Sequence, residues 1–244
     1  MLLKIINVAA FALMVLMNYL ANALPLNNKT TGQLSDQYPN LFVPAGVTFS
    51  IWGVIYLMLL GFCIVQFREQ NKSLVLSIGW AFAISCLLNA LWIVAWHYEQ
   101  LPLSLLIMLG LLATLILINI SLRTAPSGLI KAAFGIYLGW ICIATIANVT
   151  ALLVNYNWGG WGVSHETWTI IMILAGAIIS ILAITRFQNP YIGLAVVWAF
   201  IGIILKRQGE VQSIVIVAII GIVMVAVATG WVFLRNPAGY ADLH

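Results

Sequence analysis

Apolar residues run along this chain in blocks far longer than the core helices of a soluble domain, separated by short polar breaks. Eight blocks stand out, near 4–24, 45–67, 73–97, 102–122, 129–155, 167–186, 190–206 and 212–235. A helix rises about 1.5 Å per residue, so about 20 mainly apolar residues cross about 30 Å of hydrocarbon. The seventh block, from Pro190 to Lys206, is the shortest. Lipid offers backbone groups no partners, which leaves helices or closed barrels as spanning structures. Barrel strands alternate in polarity, and these runs do not. The pattern therefore predicts an all-α polytopic transmembrane bundle of about eight helices. Most connections are short, so successive helices should pack as antiparallel neighbours. Two polar connections are longer: residues 25–44, with Asn27, Asn28, Lys29 and Asp36, and residues 156–166, with Trp158-Gly159-Gly160-Trp161 and His165-Glu166.

Composition strengthens this picture. Only 7% of the 244 residues are charged, against about 25% in a typical soluble domain. The net charge of +4 does not point to nucleic acid, because no basic run exceeds the pair Lys206–Arg207. Cys63, Cys86 and Cys142 all lie inside apolar blocks without C-x-x-C spacing, so they read as small buried hydrophobes rather than disulfides or metal ligands. With the N-terminus inside, Lys4, Arg68, Lys72, Arg123, Lys131, Arg186 and Arg235 fall on the cytoplasmic side and Lys29, Lys206 and Arg207 outside. That distribution favours cytoplasmic N- and C-termini in a plasma (inner) membrane, with Lys206–Arg207 dissenting. The first block, with Lys4 and Ala21-Asn22-Ala23, also resembles a cleavable signal peptide. Its length and direct continuation into a membrane domain favour a retained helix.

The ten tryptophans add positional information. Trp96, Trp158, Trp161, Trp168 and Trp231 fall near block ends, where an interfacial belt explains them. Trp52, Trp80, Trp92, Trp140 and Trp198 sit deeper, and a buried indole N–H needs a partner. Phe49, Trp52 and Tyr56 share one face of the second block by their spacing of three and four. Asn89, Trp92 and Trp96 do the same on the third, and Tyr137, Trp140, Ala144 and Asn148 on the fifth, extended by Asn155. Such stripes serve helix packing or line a ligand pocket, and periodicity leaves both open. Gly135-x-x-x-Gly139 overlaps the last stripe and suits close helix contact. Trp80-Ala81-Phe82 and Trp198-Ala199-Phe200 form a weak internal echo that would fit a four-plus-four repeat.

At these positions the chain resembles the TspO/MBR family of tryptophan-rich sensory and translocator proteins. Pro44, Trp52 and Tyr56 match its second-helix spacing, Asn89 and Trp92 its third-helix pair with Trp96 at a usual aromatic position, and Tyr137, Trp140, Ala144, Asn148 and Asn155 its fifth-helix pattern. The likeness departs at Val43, Gly46 and Ile136, and Tyr156 has no nearby Lys or Arg to complete a sterol-type motif. It covers roughly residues 1–156, which suggests a five-helix TspO-like domain followed by three additional helices over 157–244.

The resemblance implies an intramembrane pocket for a flat apolar ligand, a tetrapyrrole such as protoporphyrin. A porphyrin needs aromatic walls, hydrogen-bond donors and a cation near the mouth. Phe49, Trp52, Tyr56, Asn89, Trp92, Trp96, Tyr137, Trp140, Ala144 and Asn148 are the expected ligand-binding residues, with Lys29 as a carboxylate partner. No cofactor is required by these residues; a bound porphyrin or haem is the candidate, with His97 and His165 as nearby haem ligands. The expected partners are the lipid bilayer and a small apolar ligand, with a homodimer left open and no nucleic acid. No catalytic or metal-ligating set is recognisable, and breakdown of a bound porphyrin is the one enzymatic option. Transport of a small hydrophobic solute is the alternative function. The span centres lack Asp, Glu, Lys, Arg and His, which argues against carboxylate-based proton coupling.

Overall fold

The computed structural model describes residues 1–23 and 26–235, so the C-terminal tail and the Leu24–Pro25 step of the first long connection lie outside the described residues. The main elements are α1 (Leu2–Ala23), α2 (Thr31–Asp36), α3 (Ile51–Val65), α4 (Lys72–Ile78), α5 (Ala81–His97), α6 (Leu101–Ser121), α7 (Leu129–Asn155), α8 (His165–Phe187), α9 (Tyr191–Arg207) and α10 (Gln212–Arg235). No strand occurs among the described residues. A 3₁₀ turn, Gly46–Ser50, leads into α3, and together they form one span.

Among the described residues, six helices are long and apolar enough to cross a membrane. All eight apolar blocks are helical, and the two that fall outside this group have identifiable reasons. The third block is not one straight helix. It breaks between α4 and α5 with a 59° bend, because Gly79 adopts φ 56°, ψ −136°, a conformation open essentially only to glycine. Trp80, expected deep, stands at this break and is 54% exposed. Helix α9 has 17 residues, about 26 Å at the helical rise, slightly short of the hydrocarbon thickness.

Large apolar side chains are exposed in mid-helix, including Leu57 (70%), Leu106 (66%) and Val227 (67%). Water would penalise such belts, whereas lipid tails accept them. The protein is an integral membrane helical bundle.

The helices close into two rings that share α7. One ring runs α1, α5, α6, α7, α3 and back to α1; the other runs α7, α9, α10, α8 and back to α7. The shared helix is consequently the most buried span. Close approach of α9 to α7 depends on Gly135 and Gly139. A Cβ at Gly135 would lie 2.5 Å from Asn189 Oδ1, and one at Gly139 would run into the Ile192 carbonyl oxygen and come within 3.1 Å of Ala195 Cβ. The small-residue spacing thus seats the second ring on the first.

A buried amide network reinforces that joint. Asn189, between α8 and α9, donates to Asn119 Oδ1 (2.8 Å) and to the Lys131 carbonyl (2.9 Å). Asn119 donates to Leu115 and Phe134 carbonyls, while Lys131 Nζ donates to the carbonyls of Arg123 and Ala125. The Lys131 ammonium thereby satisfies carbonyls of the turn that follows α6.

Candidate functional site

The predicted stripes on α3, α5 and α7 converge near the end of the first ring where the long connection crosses. Trp52 is the hub. Its ring centroid lies 5.6 Å from Tyr56, 6.2 Å from Trp92, 6.0 Å from Tyr137 and 6.1 Å from Trp140. Phe49 meets Trp140 edge-on at 6.0 Å, and Trp92 stacks with Trp96 at 6.0 Å. These separations fall in the range of favourable aromatic pairs.

The aromatic rings enclose a pocket lined by Thr31, Ser35, Pro44, Phe49, Trp52, Trp92, Trp96, Trp140, Ile143, Ala144, Ala147 and Asn148. Seven expected residues line it: Phe49, Trp52, Trp92, Trp96, Trp140, Ala144 and Asn148. Asn89, Tyr137 and Tyr56 are not among its lining residues. Asn89 donates to the Tyr137 hydroxyl (2.9 Å) and accepts from Asn18 Nδ2 of α1 (2.7 Å). This chain ties α1, α5 and α7 together and makes Asn89 and Tyr137 supports for the pocket. Asn155, at the far end of the α7 stripe, is exposed.

The cavity measures about 50 Å³, against roughly 300–1,000 Å³ for pockets that hold drug-sized ligands. The structure therefore shows a closed site. Its walls nonetheless carry unspent donors. Trp92, Trp96 and Trp140 each bury an indole N–H without an acceptor, and Asn148 Nδ2 is likewise unpaired. A buried donor left unsatisfied costs about 1–3 kcal/mol. Four such donors around one cavity favour an occupant bearing acceptor oxygens.

Residues 29–45 and the following turn form a lid. Thr30 caps α2, with reciprocal bonds to and from Gln33. Asn40 Oδ1 accepts from the Phe42 and Val43 amides, both at 3.0 Å, a local turn that carries the chain into Pro44. One side of the lid is fastened to the end of α5. Lys29 pairs with Glu99 (2.9 Å), Tyr38 OH donates to Glu99 (3.4 Å), and Thr31 Oγ1 lies 3.1 Å from His97 Nε2. Partial burial, with Glu99 nearby, raises the Tyr38 pKa above its ordinary value.

The other side is fastened to α9. Lys206 pairs with Asp36 (2.7 Å), and Arg207 donates to the carbonyls of Asn40 (2.8 Å) and Leu41 (3.1 Å). The Ala45 amide donates to the Gly202 carbonyl (2.9 Å), and Trp198 Nε1 donates to the Thr48 carbonyl (2.9 Å). Thr48 sits next to Phe49, so the second ring fixes a wall of the pocket in the first.

Compared with known families, residues 4–231 match the family described as TSPO-like protein. The chain belongs to that family. The match extends through α8 and α9 and across most of α10, whereas the sequence motifs alone placed the likeness over residues 1–156. The last three helices are thus part of this TSPO-like protein's family pattern, in keeping with the grip of α9 on the lid. No curated protein and no solved structure matches the chain.

Several residues of the TSPO-like site escaped sequence reasoning. Asn18 lies in an apolar block with no motif around it, and Thr31, Ser35, Trp198 and Arg207 reach the site only through tertiary contacts. Lys29 is bound to Glu99 and does not line the pocket. His97, 0% exposed, contacts Thr31, and its backbone carbonyl accepts from Asn27. Neither His97 nor His165 lines the aromatic pocket. The two halves of the Trp-Ala-Phe echo differ in setting: Trp80 marks an exposed break, and Trp198 is a bonded contact on α9.

Proposed function

We propose that this TSPO-like protein binds a flat, mainly apolar ligand with peripheral oxygens, of the tetrapyrrole class, between α3, α5 and α7. The observation that carries this reading is the aromatic box around Trp52, whose Trp92, Trp96 and Trp140 indoles and Asn148 amide hold donors without acceptors. Ring faces suit a planar macrocycle, and the donors suit its carboxylates or carbonyls. No ionisable acid or base lines the pocket among the described residues, which supports binding rather than chemistry on the ligand. The closed cavity makes binding an opening event, so affinity is reduced by the fraction of molecules that are open.

The same reading gives the orientation. With the N-terminus cytoplasmic, the lid and pocket mouth face outward. The three cations on the outer side, including the dissenting pair Lys206–Arg207, each have a carboxylate partner: Lys29 with Glu99, Lys206 with Asp36, and Arg207 with Glu210. They are spent on holding the lid.

Titration of the purified protein with protoporphyrin tests this. A saturable change in porphyrin absorbance accompanied by tryptophan quenching is expected. The Trp92→Ala, Trp140→Ala double variant should lose at least about tenfold in affinity, or about 1.4 kcal/mol. Equal affinity in both proteins removes these two residues as walls.

A further inference from the structure

The lid is well fastened, and the slightest joint of the first ring is the seam between α1 and α3. Helix α1 packs chiefly on α5, and its contact with α3 is slight by comparison. Between α1 and α3 lies a cleft of about 360 Å³, lined on one side by Val15, Asn18, Tyr19 and Asn22 and on the other by Trp52, Gly53 and Tyr56. Thr31 and Phe49 also line it, so the cleft and the closed pocket share Thr31, Phe49 and Trp52. Two aromatic rings separate the two spaces.

The seam opens among lipid-facing side chains: Leu16 is 52% exposed, Tyr19 62% and Leu57 70%. Asn18 lies five residues before the end of α1, about 8 Å in depth by the helical rise. Polar groups at such a level are costly in lipid unless they have work to do. Here Asn22 donates to the Asn18 carbonyl and accepts from the Thr31 amide, and Asn18 continues the chain to Asn89. Tyr56 lines the cleft, and its hydroxyl is buried without a partner. An amphipathic molecule with acceptor oxygens would bond that hydroxyl once the neighbouring rings part, whereas a wholly apolar lipid tail would leave it unpaired.

We propose that the ligand reaches the pocket sideways from the outer half of the bilayer, between α1 and α3, with Phe49 and Trp52 as the movable partition and Tyr56 as a polar contact uncovered when they part. The route rests on the tetrapyrrole-class reading of the pocket. It leaves the lid in place during exchange, so its fastenings to α5 and α9 are not broken at each event.

Gly53 supplies the test, because a Cβ there meets nothing within 4 Å. Gly53→Leu places its side chain in the seam with the Cβ unopposed, and leucine is a better helix former than glycine. Gly46, where a Cβ also meets open space, lies outside both cavities and gives the matched control Gly46→Leu. Lys206→Gln unpins one corner of the lid. Each protein is reconstituted in vesicles, protoporphyrin is added to the membrane, and binding and release are followed by tryptophan quenching. Gly53→Leu is expected to slow both association and dissociation by about tenfold, an added barrier of about 1.4 kcal/mol, while Gly46→Leu keeps wild-type rates and Lys206→Gln slows neither step. A blocked route slows release, whereas a damaged site speeds it. Unchanged or faster release from Gly53→Leu, or rates that respond to Lys206→Gln and not to Gly53→Leu, overturns the lateral route while the pocket stands. Absence of saturable binding by the wild type overturns the tetrapyrrole reading itself, and the route with it.

Discussion

The joint between the two rings gives the sharpest test of how the molecule is built. Gly139 faces the start of α9 so closely that a Cβ would intrude on the Ile192 carbonyl oxygen, lie 3.0 Å from its carbon, and lie 3.1 Å from Ala195 Cβ. Carbon atoms at optimal contact are about 3.5–4.0 Å apart, so Gly139→Ala requires α7 and α9 to part by about 0.5–1 Å. The obstacle is helix backbone, which cannot rotate aside as a side chain can. Overpacking of this kind costs about 1–3 kcal/mol, and the upper end applies here. The better helix propensity of alanine returns up to about 1 kcal/mol, leaving a net loss of about 2 kcal/mol. Equilibrium unfolding in mixed micelles, followed by far-UV circular dichroism, measures it. Gly53→Ala, which meets open space, should be neutral or slightly stabilising. If Gly139→Ala is as stable as that control, the close α7–α9 seat does not contribute and the account of the joint fails. Displacement of α9 should also weaken protoporphyrin binding, because the lid is fastened to α9 through Trp198, Lys206 and Arg207.

Two further outcomes follow from individual contacts. Trp198→Phe keeps the ring but removes the N–H that bonds the Thr48 carbonyl at 2.9 Å; it should lower stability by about 1 kcal/mol and weaken protoporphyrin affinity, and unchanged values in unfolding and titration would deny the α9 contact a positioning role. Tyr38 has a pKa raised above 10.0 by partial burial and by Glu99, so its contribution is complete below the unfolded value and is lost as pH rises through the folded one. Tyr38→Phe should remove one late-titrating phenol from the phenolate absorbance curve, and an unchanged late portion of that curve would refute the raised pKa.

The helices were legible because span length and apolar periodicity are local properties. So were the three aromatic stripes, since Phe49, Trp52 and Tyr56, or Tyr137, Trp140 and Ala144, announce a shared face through spacing alone. What the sequence hides is which faces meet. Gly135 and Gly139 advertise a close neighbour without naming α9, and Asn18 looks like any isolated amide until it is seen bonded to Asn89. The break at Gly79 was hidden for a related reason: a single glycine inside an apolar run fits a straight helix as well as a bent one, and its positive φ decides. Lys29 offers itself in the sequence as a partner for a ligand carboxylate because Glu99, which it pairs with, is 70 residues away.

The position of the last three helices changes how the closed pocket is understood. A five-helix ring alone would hold its lid by the contacts to α5, leaving the α3 side of residues 36–48 without fixed partners. In this chain Ala45, Thr48, Asn40 and Leu41 all bond to α9, and α9 is itself seated on the glycines of α7. Helix α7 carries Trp140, Ala144 and Asn148 of the pocket, so one helix bears both the site and the platform for its restraint. Opening by lifting the lid would disrupt several of these bonds together, each worth on the order of 1 kcal/mol. Parting Phe49 and Trp52 toward the α1–α3 cleft disturbs aromatic contacts worth about 0.5–1.5 kcal/mol each and leaves the bonds to α9 intact. The two costs are of similar size, but only the seam leaves the polar fastenings of the lid in place, and on the lateral route the second ring directs exchange toward the bilayer.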